Sequence, residues 1–169
     1  MTTPTDLPTP TVEDRDALAT ALRRHLDGPF GDVRDHVRAL DADAFGAAPA
    51  RLPIAEHRAR VTDLLARVAE QPYAAAGFPE RQGGTGRYGE AVAAFEMLGH
   101  TDLSLFVKAG VQWGLFGGAV SLLGTSRHDD LVPRIVSGEL QGCFAMTETG
   151  HGSDVQSLRT TAIYDGSTD

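Results

Sequence analysis

The chain has 169 residues, 41% of them hydrophobic, enough for one domain with a real core or for one domain and part of another. Its formal charge of −8 argues against general affinity for nucleic acid or an anionic membrane surface, and its apolar content excludes global disorder. The single cysteine, Cys143, cannot close an internal disulfide, and the six histidines are scattered, so neither a disulfide scaffold nor a zinc site is expected. A lone thiol suits a reducing cytoplasm, and the N-terminus lacks the basic and apolar regions of a signal peptide.

Residues 1–10, rich in Thr and Pro, are expected to be a disordered tail. Thr11 and Asp14 form a capping-box start for a first helix. Leu18, Ala21, Leu22, His25 and Leu26 keep its apolar spacing, and Gly28-Pro29 ends it. A second helix runs from Phe30 to Leu40, with Phe30, Val33, Val37 and Leu40 on one face. Asp41 to Leu52 reads as a loop, after which Pro53 opens a third helix whose face is Ile54, His57, Val61, Leu64, Leu65 and Val68. Gly77 to Gly86 is glycine-rich but lacks the Gly-Lys-Ser/Thr ending of a phosphate loop and follows a helix, so it reads as a long turn. In the fourth helix Tyr88, Val92, Phe95 and Leu98 point inward and Gly99 closes it.

Thr101 or Asp102 caps a fifth helix, Leu103 to Leu123, apolar nearly all round. Its length alone allows a membrane span. Lys108 and Gln112 sit mid-segment and no basic flank sets an orientation, so a core helix is the expected reading. A 3.6-residue period puts Leu103, Phe106, Val107, Gly110, Trp113, Gly114, Gly117 and Val120 on one face. Leu105, Leu115, Phe116 and Leu122 fall on the other. Ser126 and Asp129 form another capping pair, and Pro133 restarts a helix. His100 and His128 sit at helix ends, where capping or exposure is expected.

Near residue 140 the pattern changes. Gly142 to Asp165 reads as an apolar strand with Cys143 inert inside it, a small-residue loop, and a second β-prone segment from Leu158 to Tyr164. Gly150, Gly152 and Ser153 shed side-chain bulk, which lets a ligand approach the backbone; bare amides and small hydroxyls suit an anionic or heteroaromatic group. Read as residues alone, Thr147-Glu148 is equally a strand end before a hairpin loop. Asp165-Gly166 signals a turn that promises a returning strand, and two strands make no stable sheet. A truncated chain, or a second polypeptide that completes the sheet, is therefore expected. The expected domains are the tail at 1–10, a helical domain at 11–139 and an incomplete β domain at 140–169.

Phe-Ala-Met-Thr-Glu followed by Gly-His-Gly-Ser at 144–153 resembles the flavin-binding segment of the acyl-CoA dehydrogenase and acyl-CoA oxidase superfamily. The dehydrogenase version is Thr-Glu-Pro-x-x-Gly-Ser-Asp; here Thr149 replaces the Pro, and the form is closer to the oxidase branch. Gly83-Gly84-Thr85-Gly86, Asp102-Leu103-Ser104-Leu105, the Gly110 to Gly118 run and Leu123-Gly124-Thr125 agree in order, so the resemblance covers roughly residues 75–165. It implies a mainly α chain: the helical N-terminal domain of that fold, then the first strands of a β-barrel-like middle domain. It implies FAD as cofactor, an acyl-CoA thioester as substrate, and α,β-dehydrogenation by a carboxylate base and hydride transfer to the flavin. The family's catalytic Glu lies in a C-terminal domain with no counterpart here, so no catalytic residue is assigned, and Glu148 is not taken as the base.

By the same resemblance Phe144, Ala145 and Met146 lie along the flavin ring, and Thr147 contacts it. Gly150 to Gly152 let the backbone approach, and Ser153 lies near the cofactor phosphates and the CoA. His151 is read as a loop residue, and Trp113 as core, on a helix the family places near the acyl pocket. A homo-oligomer or a complementing subunit is implied, with no nucleic-acid partner and no membrane span. The alternative is a non-catalytic α-domain that binds a partner subunit or an acyl ligand.

Overall fold

The computed structural model describes residues 11–40, 51–150 and 152–167. The expected N-terminal tail, most of the 41–52 loop, His151 and residues 168–169 lie outside the described residues. The chain is mainly helical. Helix α1 spans Val12–Asp27, with Thr11 and Asp14 closing the capping box reciprocally. A 3₁₀ turn at Gly28–Phe30, started by the positive φ of Gly28 (57°), passes directly into α2, Gly31–Leu40. Helix α3 is Ile54–Ala69, behind Pro53. Helix α4 is Tyr88–Thr101, α5 runs over Leu103–Leu123, and α6 is Leu131–Val136.

The core lies where α2 packs on α4 and where α3 and α4 pack on α5. Val37, Leu64, Leu65, Val68, Leu98 and Leu105 meet there with Tyr73 and the small Ala76, Ala94 and Ala109. Burying each of the larger side chains contributes about 1.5–3 kcal/mol. Ion pairs tie the helices at the edge of this core: Arg34 to Glu96 joins α2 to α4 at 2.8 Å, and Arg60 to Asp102 joins α3 to the start of α5 at 2.7 Å. Helix α1 contributes nothing to the core. Its apolar stripe points outward, with Leu18 and Leu26 about 70% exposed, and the bidentate pair of Asp27 with Arg38 ties it to α2.

The Gly77 to Gly86 stretch is a turn, as read. Gly84 lies so close to Phe78 that a Cβ there would stand 2.0 Å from its carbonyl oxygen, and Gly83 and Gly86 take positive φ.

Three expectations are corrected and one alternative is decided. In α4, Tyr88 and Val92 are more than 60% exposed, and the buried side consists of Ala93, Ala94 and Leu98. Small side chains let neighbouring helices approach there, which leaves the larger ones at the rim of a cavity. Gly99 does not end the helix, which runs to Thr101 and packs Gly99 against the Phe106 ring. Of the two caps offered for α5, Asp102 serves, its carboxylate accepting from the Leu105 amide at 3.0 Å. The turn before α6 is capped by Thr125 with His128 rather than by Ser126 with Asp129, because Asp129 is engaged by Gln82.

Helix α5 departs most from its expected pattern. By length and composition it could cross a membrane. Its buried residues, however, are Leu105, Ala109, Gln112, Gly117 and Ser121, while Leu103, Val107, Leu115, Leu122 and Leu123 are exposed. The step from Gln112 to Gly117 is five residues, not three or four, because Gly110–Gly117 is π-helical. The wider turn shifts the buried stripe off the 3.6-residue register. It puts the polar Gln112, not the apolar side chains around it, into the core.

After α6 no strand forms among the described residues. The segment that follows is irregular, with turns near 149–150 and a 3₁₀ turn at Val155–Ser157, and no neighbouring strand among the described residues offers a ladder to its amides and carbonyls. Cys143, expected inside an apolar strand, is exposed.

Candidate functional site

Two features on or beside α5 could serve a ligand. The first is the segment from Gly142 to Thr160. Gln112 anchors its start. The buried amide donates to the carbonyls of Ile135 and Leu140, both at 2.8 Å, and accepts from the Gly142 amide at 3.3 Å. Trp113 beside it donates to the Val136 carbonyl at 3.1 Å, and Lys108 reaches Gln141 at 3.2 Å. Gly142 also has to be glycine, since a Cβ would stand 2.3 Å from the Phe116 ring. One turn of the π segment therefore fixes where the chain leaves the helical body. The sequence signal was present as one glutamine in an apolar helix, but it read as an argument against a membrane span rather than as a hub.

Beyond Gly142 the segment presents its side chains outward. Phe144 and Met146 are each 42% exposed, and Ala145 and Thr147 are exposed too. Among the described residues the hydroxyls of Thr147 and Ser153 make no side-chain hydrogen bond. Gly152 has open space where a side chain would be, and Gly150 has φ +100°. Phe144, Ala145, Met146 and Thr147 are thus four consecutive exposed residues, with Ser153 and Gly152 on the loop that follows. The arrangement fits a flat heteroaromatic ligand in kind: an apolar strip to lie along, a free hydroxyl at its end and a loop without bulk.

Glu148 gathers the returning chain. Its carboxylate accepts from the amides of Arg159 (2.9 Å) and Thr160 (2.6 Å) and from the Thr160 hydroxyl. These bonds do for the two β-prone segments what a ladder would otherwise do. They also occupy the carboxylate. Asp165 makes the expected turn, accepting from the Ser167 amide and hydroxyl; the hydroxyl bond first, then the amide bond, holds its carboxyl below the ordinary 3.8.

The second feature is a cavity of about 370 Å³ between α4, α5 and the turn at 73–78. Phe78, Val92, Phe95, Trp113 and Leu122 supply its apolar wall, and Gly114 and Gly118 leave room on α5. Tyr73 lies in the wall, but its hydroxyl is buried without a hydrogen-bond partner, and desolvation raises its pKa well above the ordinary 10.0. Trp113 is thus both core and wall. No group of three or more His, Cys, Asp or Glu among the described residues could hold a metal ion.

Curated relatives match part of the chain. The peroxisomal acyl-coenzyme A oxidase 2 of Arabidopsis thaliana is 50% identical over 74 residues, 43% of this chain and 11% of the relative. Acyl-coenzyme A oxidase 2 of Yarrowia lipolytica is 44% identical over 78 residues, 44% of this chain and 11% of the relative. The peroxisomal acyl-coenzyme A oxidase 3 of Homo sapiens is 42% identical over 77 residues, 46% of this chain and 11% of the relative. The match therefore spans about a tenth of the length of these relatives. No family profile and no solved structure matches the chain. Over the matched stretch the resemblance is to the acyl-CoA oxidase branch, as the motifs implied.

Proposed function

We propose that this chain is the N-terminal part of an FAD-dependent acyl-CoA oxidase, which dehydrogenates acyl-CoA thioesters at the α,β bond in fatty-acid oxidation. The similarity to acyl-CoA oxidases at up to 50% identity carries the reading. The exposed strip beside the free Thr147 hydroxyl supports it. When bound, the flavin accepts the two electrons that the dehydrogenation releases. The chain's own residues bind and orient: Phe144, Ala145 and Met146 along the ring, Thr147 as hydrogen-bond donor, Gly152 giving room, and Ser153 toward the cofactor phosphates and the CoA. A hydroxyl aimed at a ring that gains charge stabilises the charged form more than the neutral one. The cavity on α5 takes the acyl chain. The base is a Glu outside this chain, and residues 140–169 open a β domain completed by later sequence or a second subunit. The lone, exposed Cys143 suits a reducing compartment such as the cytoplasm.

The test is to express the chain together with the coding sequence that follows it, and to measure bound flavin and acyl-CoA-dependent peroxide. Yellow protein that forms peroxide only with acyl-CoA is the expected result; the 169 residues alone should do neither. A stop codon directly after Asp169, with no neighbouring gene for the remainder, would favour the other reading, a binding domain whose apolar cavity holds an acyl ligand without chemistry.

A further inference from the structure

The cavity wall contains a hydroxyl whose hydrogen-bond direction is set from outside. Asp129 lies on the far side of a short relay. Its carboxylate can only accept, and Gln82 approaches Oδ1 at 2.6 Å. The Gln82 side chain must therefore present its amino group to Asp129, a choice the Arg81 guanidinium 3.7 Å from the same oxygen cannot reverse. With its amino group committed, Gln82 turns its carbonyl oxygen to Ser121, 2.6 Å away. Two acceptors cannot pair, so Ser121 donates its only proton to Gln82. Both side chains are buried, Gln82 4% and Ser121 9% exposed, so water has little room to relax the order.

Ser121 lines the cavity. With its proton given to Gln82, its hydroxyl keeps acceptor capacity alone. Trp113 cannot supply a donor, because its N–H is spent on the Val136 carbonyl, and the Tyr73 hydroxyl presents no surface. We infer that the cavity selects aliphatic chains bearing a hydroxyl at the depth of Ser121, and rejects chains bearing an acceptor-only oxygen, such as a ketone, at that position. A plain chain is tolerated, since Ser121 is already satisfied by Gln82. A hydroxyl gains one hydrogen bond, whereas a ketone places its oxygen against the lone pairs of another and loses its water. This inference rests on the cavity being the acyl site proposed above, and names the substrate class within it.

Trp113 is the only tryptophan and lies in the cavity wall, so its fluorescence reports occupancy. The full 169-residue chain is titrated with dodecanoate and with its monohydroxy and mono-oxo derivatives at successive carbons. At one position the hydroxy chain should bind about fivefold tighter than the oxo chain. Ser121→Ala should bring that ratio to about one. Asp129→Asn, whose amide can donate as well as accept, lets Gln82 turn round and should narrow the ratio by improving the oxo chain. A ratio near one at every position in the wild type, or one that Ser121→Ala does not change, overturns the inference while dodecanoate binding leaves the cavity reading intact. If no chain alters Trp113 fluorescence, the cavity reading fails and takes the inference with it.

Discussion

Replacing Gln112 with Leu tests whether one polar side chain fixes the exit of the chain from the helical body. Leucine matches glutamine closely in size, so the substitution removes hydrogen bonds with little change in packed volume. Three bonds are lost: those to the Ile135 and Leu140 carbonyls at 2.8 Å and the longer one from the Gly142 amide at 3.3 Å. The Ile135 carbonyl keeps a second donor in the Gly138 amide, whereas the Leu140 carbonyl and the Gly142 amide each lose the side-chain partner that holds them. At about 1 kcal/mol for each net bond, the loss is about 2–3 kcal/mol, a large share of the stability of a small domain. Urea denaturation followed by circular dichroism gives the stability change, and amide hydrogen exchange gives the local one. The Gly142 amide should lose protection well beyond what the global destabilisation explains. Gln112→Leu protein within about 0.5 kcal/mol of wild type, with Gly142 protection unchanged, would refute the idea that Gln112 organises the segment.

Three further outcomes are expected. Burial opposes ionisation of Asp102, but its hydrogen bonds with Arg60 and the Leu105 amide outweigh this and hold its carboxyl below the ordinary 3.8. A depressed folded-state value means that the contribution is present above about pH 4 and lost as pH falls through that lower value. Asp102→Asn should therefore cost about 1–2 kcal/mol at neutral pH and flatten the acid limb of the stability profile; an unchanged acid limb refutes it. Glu148→Gln should speed hydrogen exchange at Arg159 and Thr160 while leaving the helices untouched, and equal exchange at both amides would contradict the bracing role. In the completed enzyme, Thr147→Ala should weaken flavin binding or slow flavin reduction about fivefold, and unchanged occupancy and reduction rate would remove Thr147 from the site.

The sequence by itself determined the local decisions. Caps, prolines and glycines act within a few residues, so the Thr11 box, the Pro53 start and the helical turns were legible without any partner. The faces of α2 and α3 were legible too, apart from Ile54 at the start of α3, which is 73% exposed, because both helices are regular and keep one period. The flavin-loop resemblance was carried by short motifs in order, which need no coordinates. Tertiary structure decided the rest wherever a residue's role depends on something distant in sequence. A π-helical segment moves the buried stripe of α5 by one residue, and no spacing rule for a regular helix predicts that shift. Gln112 became a hub only because α6 and the turn after it bring two carbonyls beside it, and Glu148 became a brace only because the chain returns at Thr160. The strands expected after residue 140 illustrate the same limit. Their β-prone side chains are local, but a ladder needs a neighbouring strand, and the described residues provide none.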